Sequence, residues 1–510
     1  MHSNNFTAFY VLSCMNELKA GAALNYAVIF LNILVGLLYT PYMLHRLGQS
    51  EYGLYSLVAS VIACLTILDL GLGNAVVRYT AKYRSEGRDG EEQYELFGLF
   101  LVLYSVIGVL ALVVGGVFMA HFDAWFGHTM SPHEAGRARL MLLLLVLNVA
   151  FTFPMSIFSS ILTAYERFVF PRLLQIVRIL LNTGVMVALL AMGYKALALV
   201  VVQTVLNVLT LTVHWLYCRW RLRVKIRFGG IDTGLLKEVG VYSFWVFLGV
   251  VTDRVYWSTG QFVLALYQGT EAVAVFAVAI QLSLLYMTFS TSISGVFLPR
   301  VTGMVTCRAS EAEISRLFIR TGRIQFMVMA LILTGFAVFG RSFVRLWAGP
   351  GYEGAYPIAL LLFASLTVPM IQNLGITILQ ARNRMKFRSL LYLVIAFASL
   401  FGQFVLARSY GGMGVAIAIS GALLVGQGLV MNLYYHRCQK LDMRAFWAEI
   451  GRMSVVPVLM VVAASVALRG IALDTWGKLG VAIVGYLSVY VPLFYWLEIK
   501  EGRQHFKTIS

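Results

Sequence analysis

Long apolar stretches recur along the whole chain, and they limit its fold more than any other feature of the sequence. A helix needs about 20 apolar residues to cross a hydrocarbon core about 30 Å thick. Such a segment must satisfy its own backbone hydrogen bonds, so it is expected to be a helix. The stretches cover residues 22–44, 52–77, 95–120, 140–164, 173–193, 196–217, 239–266, 272–298, 324–346, 356–379, 389–407, 414–435, 453–469 and 479–497. We predict an all-α polytopic membrane protein with 14 transmembrane helices.

The composition agrees with this class of protein. Hydrophobic residues make up 60% of the 510 residues, charged residues make up 12%, and the mean hydropathy is +0.80. A soluble domain carries about 25% charged residues. The apolar stretches leave no room for a separate soluble domain. The first 21 residues contain no basic segment and no small-residue cleavage site. We therefore expect no cleaved signal peptide and expect the first span to direct insertion.

Lysine and arginine are distributed unequally between the two sets of loops. An even number of spans places both termini on one side, and that side holds 29 of these residues against 9 on the other. Only Arg178 and Arg254 lie within spans. Because basic loops stay in the cytosol, both termini are predicted to be cytoplasmic. The net charge of +17 then reflects orientation, and the basic loop 218–228 should contact anionic lipid, not nucleic acid.

Cysteine and histidine do not predict a disulfide, a metal site or a cofactor. The five cysteines include no close pair and no metal-ligand spacing, and cytosolic thiols stay reduced. The longest outward loop, 121–139, contains His121, His128 and His133. A metal site and an ordinary polar loop are both compatible with these histidines. Their spacing matches no ligand pattern, which favours the ordinary loop.

The chain contains an internal repeat with a constant spacing of 217 residues. The segment ILTAYERFVFPRLLQI at 161–176 aligns with ILQARNRMKFRSLLYL at 378–393. Each copy has six spans, so the two copies run in the same direction, as in transporters that bind substrate between parallel repeats. A duplication without moving parts is the alternative. The predicted divisions are a six-helix bundle at 1–217, a basic cytosolic linker at 218–238, a second six-helix bundle at 239–436, and two additional helices with a cytosolic tail at 437–510.

A motif surrounds the second span, PYMLHRLGQSEYGLYSLVASVIACLTILDLGLGNAVVRYTAKY at 41–83. It resembles the first hairpin of the Wzx-type oligosaccharide flippases. These belong to the MOP superfamily, together with the MATE drug exporters and the lipid II flippases. The resemblance covers essentially the whole chain, and it is specific for the sugar-export branch without naming the sugar. The matching elements are Leu47-Gly48, Tyr52-Gly53, the run from Leu68 to Gly73, Arg78-Tyr79, and the turn from Tyr165 to Phe168.

The resemblance implies a particular architecture and cargo. Two bundles would enclose a polar, usually cationic cavity that carries the head group of a polyprenyl-pyrophosphate-linked oligosaccharide. The last two helices would offer a groove for the lipid tail. The implied location is the bacterial inner membrane. The implied partners are the lipid-linked oligosaccharide and membrane lipids, with a polysaccharide polymerase as a further candidate.

The seventh span places Asp253 and Arg254 side by side, far from either end of an apolar run. A charge at the bilayer centre costs about 2.5–3.5 kcal/mol, so it persists only when it is paired or hydrated. Arg254, Ser258 and Gln261 form one polar face, which we predict lines the cavity and binds pyrophosphate. Asp253 would hold Arg254 through another helix, or bind a coupling proton or sodium ion. A purely structural ion pair between buried helices is the alternative.

Spans 1 and 5 add further candidates for substrate binding. Asn25, Asn32 and Tyr39 are spaced by seven residues and form a polar stripe. The resemblance implies that spans 1 and 7 line the cavity, so this stripe is predicted to face Arg254. Asparagines that join helices in lipid explain the stripe equally well. Arg178 lies about two turns into span 5, where it either snorkels to the cytosolic interface or extends the cationic cavity.

Span 2 contains Asp69 shortly before Gly71 and Gly73. The glycines are expected to loosen the helix and to allow close packing. Asp69 occupies a position of the family motif. A structural role near the cytosolic gate is favoured for it, and ion coupling, as for Asp253, is the alternative.

Together these features predict a flippase that works by alternating access, breaks no bond and supplies surface polysaccharide synthesis. A MATE-type cation or drug antiporter is the first rival, but it would need an acidic cavity. A membrane polysaccharide polymerase or ligase is the second, but it would need a large outward loop with reactive groups. The sequence contains no G-x-x-x-x-G-K-[ST] motif for direct ATP hydrolysis.

Overall fold

The computed structural model describes residues 2–87, 90–229, 233–295, 297–307, 309–382 and 384–495. Every regular element in these ranges is helical, which confirms the predicted class. The first helices are α1 His2–Leu47, α2 Gln49–Leu65, α3 Leu72–Ser85, α4 Glu91–Ala120, α5 Phe122–Phe126, α6 Pro132–Ala164, α7 Val169–Ala191, α8 Ala196–Trp220, α9 Thr233–Trp257 and α10 Thr259–Gly295. The remaining helices are α11 Leu298–Thr306, α12 Glu311–Ala348, α13 Ala355–Ile371, α14 Leu374–Ala381, α15 Lys386–Leu423, α16 Met431–Arg437, α17 Met443–Met453, α18 Val455–Ala467 and α19 Trp476–Phe494.

Twelve segments of the described residues are long and apolar enough to cross a membrane, so the protein is a multi-pass membrane protein. Two of them, Gly234–Ser294 and Lys386–Arg437, contain 61 and 52 residues. A straight helix of the shorter length would extend about 78 Å, more than twice the hydrocarbon thickness. Each segment contains one glycine with non-helical backbone angles, Gly269 (φ 78°, ψ −170°) and Gly411 (φ 55°, ψ −135°). These two glycines lie where the sequence predicts turns between spans 7 and 8 and between spans 11 and 12.

The chain divides into two compact units, Met1–Val273 and Ala274–Ser510. The first unit includes α9, which the sequence repeat assigns to the second bundle. The core of the first unit is aromatic where α3, α4 and α6 pack together, with Tyr79, Phe97, Phe100 and Tyr104 at most 1% exposed. Lipid tails are as apolar as these side chains, so spanning helices can also keep apolar residues on their outer faces.

The basic segment after α8 packs against α4. The Arg227 amide donates a hydrogen bond to the Tyr94 carbonyl at 3.0 Å, and the Arg227 guanidinium pairs with Glu91. A Cβ at Gly98 would lie 2.0 Å from the Arg227 carbonyl oxygen, so a glycine is needed there. The predicted linker is therefore held on the first unit over residues 221–229. Its residues 230–232, and the predicted tail from residue 496, lie outside the described residues.

In the second unit a proline interrupts the tenth predicted span. Pro369 cannot donate a backbone hydrogen bond, and the chain turns between α13 and α14. Two serines of α10 contact this turn. The Ser290 hydroxyl donates to the Met370 carbonyl at 2.6 Å, and the Asn373 side-chain amide donates to the Ser294 hydroxyl at 2.7 Å. These bonds satisfy polar groups that would otherwise be exposed to hydrocarbon.

Candidate functional site

The second span is broken at its LDLGLG motif. Thr66–Asp69 forms a 3₁₀ turn, and both Leu70 (φ 51°) and Gly71 (φ 72°) adopt left-handed conformations before α3 begins. Asp69 is half-buried at this break, where its carboxylate faces the hydroxyl of the buried Tyr104 on α4 and the Gly71 amide. The prediction that this helix is loosened is confirmed. Asp69 lies where the spanning helix is interrupted.

Gly71 also lies where α9 approaches the break. A Cβ at Gly71 would lie 2.5 Å from Cγ1 of Val246, which is closer than real Cβ contacts allow. A Cβ at Gly73 would meet only the hydroxyls of Ser160 and Tyr104, both at 3.5 Å, an ordinary contact distance. Close packing is therefore confirmed for Gly71, whereas Gly73 lies inside a regular helix.

The two glycines should respond differently to alanine. Gly71→Ala combines a left-handed backbone, which costs about 1–2 kcal/mol outside glycine, with an overlap that costs about 1–3 kcal/mol. It should lower the melting temperature of the purified protein clearly. Gly73→Ala should be neutral or stabilising by up to about 1 kcal/mol, because alanine is the better helix former. Equal melting temperatures for the two variants would contradict the role assigned to Gly71.

Arg254 lies near the end of α9 and faces α2, where its guanidinium is close to the Cys64 thiol. The Arg254 side chain is half-buried, whereas Asp253 is exposed. Neighbouring residues of a helix point about 100° apart, and the two charges accordingly lie in different surroundings. In the part of the chain that the structure describes, no carboxylate forms an ion pair with Arg254. The guanidinium therefore has its donors free for a ligand or for water.

The predicted polar face of Arg254, Ser258 and Gln261 extends across the junction between α9 and α10. Ser258 separates α9 from α10, is 6% exposed, and donates its amide to the Arg254 carbonyl at 2.9 Å. Gln261 is half-buried in the first turn of α10. The structure thus connects Ser258 to Arg254 through the backbone and leaves Gln261 one turn further along the chain.

The polar stripe of the first span is only partly engaged. Asn25 is half-buried, and the exposed Asn32 donates to the Val28 carbonyl of its own helix at 2.9 Å. Tyr39 donates to the sulfur of Met186 on α7 at 3.3 Å. The Tyr39 end of the stripe therefore joins α1 to α7, while Asn32 remains accessible.

Arg178 lies on α7 beside His214 of α8. His214 is 7% exposed, and among the described residues neither of its ring nitrogens has a hydrogen-bond partner. Its ring meets Phe170 edge-to-face at 6.4 Å between centroids. Asn182 lies one helical turn beyond Arg178. The sequence identified Arg178 alone, because its proximity to His214 depends on how two separate helices are rotated.

Comparison with known proteins identifies the family of this chain. A family model described as "Polysaccharide biosynthesis protein" matches residues 18–305, more than half of the chain. The chain belongs to the polysaccharide biosynthesis protein family. This result confirms the predicted resemblance. A Shigella flexneri protein provisionally named an O-antigen transporter is 18% identical over 400 residues, which cover 78% of this chain and 93% of that protein.

Solved structures show that this member of the polysaccharide biosynthesis family has a MurJ- and MATE-like fold. The lipid II flippase MurJ in an inward closed conformation superposes with a TM-score of 0.69 and 16% identity, covering 93% of this chain and 99% of MurJ. An inward-facing multidrug resistance MATE transporter of the MOP superfamily superposes with a TM-score of 0.62 and 14% identity, covering 80% of this chain and 98% of the transporter. At these identities the likeness concerns the fold alone.

A contact that the sequence did not predict lies around the glycine break of α10. The Thr129 hydroxyl donates to the Ala265 carbonyl at 2.8 Å, and the Thr270 hydroxyl donates to a Glu134 carboxylate oxygen at 3.1 Å. A His128 ring nitrogen lies 3.0 Å from the Leu266 carbonyl oxygen. We call residues 265–270 the α10 tip. The tip is thus hydrogen-bonded to the connection between α5 and α6 and to the first turn of α6, within the first unit.

The family motif supplies the closest approach to the α10 tip. A Cβ at Gly53 would lie 1.8 Å from the Thr270 carbonyl oxygen and 2.6 Å from its carbonyl carbon. The backbone of the tip therefore rests directly on α2 at Gly53. In the sequence, only the resemblance marked this glycine, because the residue that it meets is distant in the chain.

Proposed function

We propose that this protein is a flippase of the bacterial inner membrane. It moves a polyprenyl-pyrophosphate-linked oligosaccharide for the synthesis of a surface polysaccharide such as O-antigen, capsule or exopolysaccharide. The head group crosses through a hydrated cavity while the lipid tail stays in the bilayer, and no bond is broken. Family membership, the relative named as an O-antigen transporter and the MurJ-like fold all support a transporter over an enzyme.

The proposed topology has 14 spans with both termini in the cytosol. Each of the two long segments broken at Gly269 and Gly411 folds as a pair of spans, which raises the count of 12 to 14. Spans 1–6 and 7–12 form two parallel bundles, and the last two helices are additional. The distribution of 29 basic residues on one side against 9 on the other supports this orientation.

The proposal of an anionic cargo depends on one observation, which is the partial burial of Arg254 without a carboxylate partner among the described residues. A guanidinium within the membrane is stable only when a counter-charge or water replaces its hydration. Arg254 is half-buried, and it has no carboxylate partner among the described residues. A pyrophosphate offers paired oxygens that match the fork of a guanidinium. An anionic cargo therefore completes this site, whereas a cationic drug would be repelled.

The remaining candidates contribute polar contacts around Arg254. Gln261 and Asn32 are accessible enough to contact sugar hydroxyls, and Asn25 continues the same stripe along α1. Ser258 acts mainly through its backbone contact with Arg254. Arg178, beside His214, adds positive charge within the first unit.

Coupling to a proton or sodium gradient is assigned to Asp253 and Asp69. Asp253 is exposed on α9, and Asp69 lies at the break of the second span, where movement of α9 would alter its surroundings. A polymerase that consumes the transported unit is the proposed protein partner.

Reconstitution tests the proposed function directly. Purified protein in proteoliposomes should move a fluorescent short-chain polyprenyl-diphosphate sugar and should not move cationic dyes typical of MATE exporters. The same vesicles, with imposed proton or sodium gradients, test the coupling. Transport of cationic dyes without transport of the diphosphate lipid would favour the antiporter. Transport at equal rates under every gradient would remove the role of Asp253 and Asp69 in coupling.

A further inference from the structure

A cleft of about 640 Å³ lies in the second unit between α11 and the first turns of α12. Arg300 of α11 and two arginines of α12, Arg316 and Arg320, line it. Cys307, in the connection between the two helices, reaches the same space. The remaining lining is small, apolar or acidic and consists of Gly303, Met304, Ala309, Leu317 and Glu313.

The three arginines of the cleft differ from neighbouring arginines of the same unit. Arg323 pairs with Glu449 at 3.2 Å, and Arg382 pairs with Glu311 at 2.5 Å. Arg300, Arg316 and Arg320 are exposed, and within the described ranges none of them forms an ion pair. Three arginines therefore line one space, and among the described residues none of them has a carboxylate within ion-pair distance.

Glu313 is the one carboxylate in the described lining of the cleft, and it is already hydrogen-bonded. Glu313 accepts hydrogen bonds from the Ser310 amide at 2.9 Å and from the Ser310 hydroxyl at 3.0 Å, which together form the capping box of α12. Counting this carboxylate against three guanidinium groups leaves the lining with a formal charge of about +2. The described lining of the cleft is thus cationic, and its acid, Glu313, caps the helix while its charge also interacts with that of Arg316.

The cleft lies at the predicted membrane surface. The helix α12 contains 38 residues and extends about 57 Å, far more than the hydrocarbon core needs. The apolar stretch within it begins at residue 324, so Arg316 and Arg320 precede the hydrocarbon region. With the proposed orientation, this is the cytosolic surface, where Met304 and Leu317 provide an apolar wall beside the arginines.

We propose that this cleft binds the diphosphate group of the lipid-linked cargo in the cytoplasmic leaflet, as a loading site separate from Arg254. This inference rests on the proposed function for its cargo and orientation. A diphosphate esterified at both ends carries two negative charges, which match the charge of the lining. An ordinary phospholipid diester carries one. The forked guanidinium groups suit adjacent phosphates, and the apolar wall suits the first isoprene units of the tail.

Native cysteines provide a local test. Cys307 lines the cleft, and Cys438 is equally an exposed free thiol outside it. In phosphatidylcholine nanodiscs, alkylation of both thiols can be followed by mass spectrometry with three separate probes. The probes are a short-chain polyprenyl-diphosphate N-acetylglucosamine, inorganic pyrophosphate, and discs that contain phosphatidylglycerol. The diphosphate lipid should slow alkylation of Cys307 at least about tenfold at saturation and leave Cys438 unchanged, with weaker protection by the other two probes.

Variants of exposed arginines connect this protection to the cleft. Arg316→Gln and Arg320→Gln should each weaken the binding of the diphosphate lipid about tenfold or more, since a charge-assisted hydrogen bond is lost. Arg444→Gln, on α17 and equally exposed, is the matched control and should bind normally. Unprotected Cys307, equal protection by phosphatidylglycerol, or unchanged binding in both cleft variants would overturn the inference.

Transport measured on the same preparations tests the loading site and the flippase function independently of each other. Wild-type protein that moves the diphosphate lipid while Cys307 stays unprotected refutes the loading site and leaves the flippase intact. Protein that protects Cys307 but moves no diphosphate lipid supports the binding site and refutes the flippase. Arg316→Gln should raise the cargo concentration needed for half-maximal transport and leave the maximal rate nearly unchanged.

Discussion

Replacing Arg254 with glutamine should reduce transport of a diphosphate-linked lipid about 10- to 150-fold, the range expected for the loss of a charge-assisted hydrogen bond of about 1.5–3 kcal/mol. Arg254 is half-buried beside Cys64, and no carboxylate pairs with it in the described part of the chain. Its charge therefore has no structural partner that the variant would leave unpaired. The melting temperature of Arg254→Gln should accordingly stay close to that of the wild type.

A lysine at position 254 tests whether transport depends on the positive charge of Arg254 or on the planar shape of its guanidinium. Arg254→Lys keeps the positive charge and loses the planar fork, so it should retain more transport than glutamine but less than arginine. Initial rates in proteoliposomes with a fluorescent diphosphate lipid measure both variants, and Arg444→Gln serves as the control for a lost surface arginine. Wild-type rates in Arg254→Gln, or a collapse of its melting temperature, would contradict the role given to this guanidinium. Wild-type rates would show that Arg254 does not contact the cargo. A collapse of the melting temperature would indicate that Arg254 belongs to a structural ion pair.

The helical architecture could be predicted because lipid imposes it locally. A spanning segment has no water to satisfy its backbone, so hydropathy alone identifies helices such as α4 and α6. The sequence predicted loosening and close packing around Gly71, because glycine in a helix signals one or the other. The sequence also placed Asp253 and Arg254 in separate surroundings, since their directions on a helix follow from its period.

Contacts between helices were not predictable in the same way. The position of Arg178 beside His214 depends on the rotation and depth of α7 and α8, and neither is set by apolar periodicity when lipid accepts every apolar face. The cleft of Arg300, Arg316 and Arg320 was seen in the sequence only as part of the positive charge that sets orientation. The cleft differs from the other basic loops in its three-dimensional grouping and in the lack of ion pairs to its arginines among the described residues, and neither follows from sequence.

The contact between Gly53 and Thr270 connects the structure to the internal repeat. These residues are 217 positions apart, which is the spacing of the repeat itself. In two copies related by a two-fold axis, equivalent residues meet each other only at the axis. In the proposed arrangement of two parallel bundles, the contact of the α10 tip with α2 would lie on the axis between the two copies. A contact on such an axis is the place at which relative rotation of two bundles opens or closes one side.

Alanine at position 53 should displace the α10 tip and open the outer side of the protein. Its Cβ would lie 1.8 Å from the Thr270 carbonyl oxygen, and that oxygen belongs to the backbone, so no side-chain rotation relieves the overlap. Overpacking of this kind costs about 1–3 kcal/mol in the arrangement where the tip rests on α2, and the proposed open arrangement would avoid it. Such a difference moves a two-state equilibrium about 5- to 150-fold toward the open arrangement.

The native Cys64 thiol reports this opening, because it is half-buried beside Arg254 on the proposed transport path. A membrane-impermeant thiol reagent added outside intact cells should modify Cys64 faster in Gly53→Ala by the same factor, and transport should fall because the outer side no longer closes. Gly136→Ala is the matched control, since a Cβ at Gly136, near the start of α6, meets nothing within 4 Å. Equal rates of Cys64 modification in both variants would show that the α10 tip is a fixed part of the first unit and that the outer side opens elsewhere.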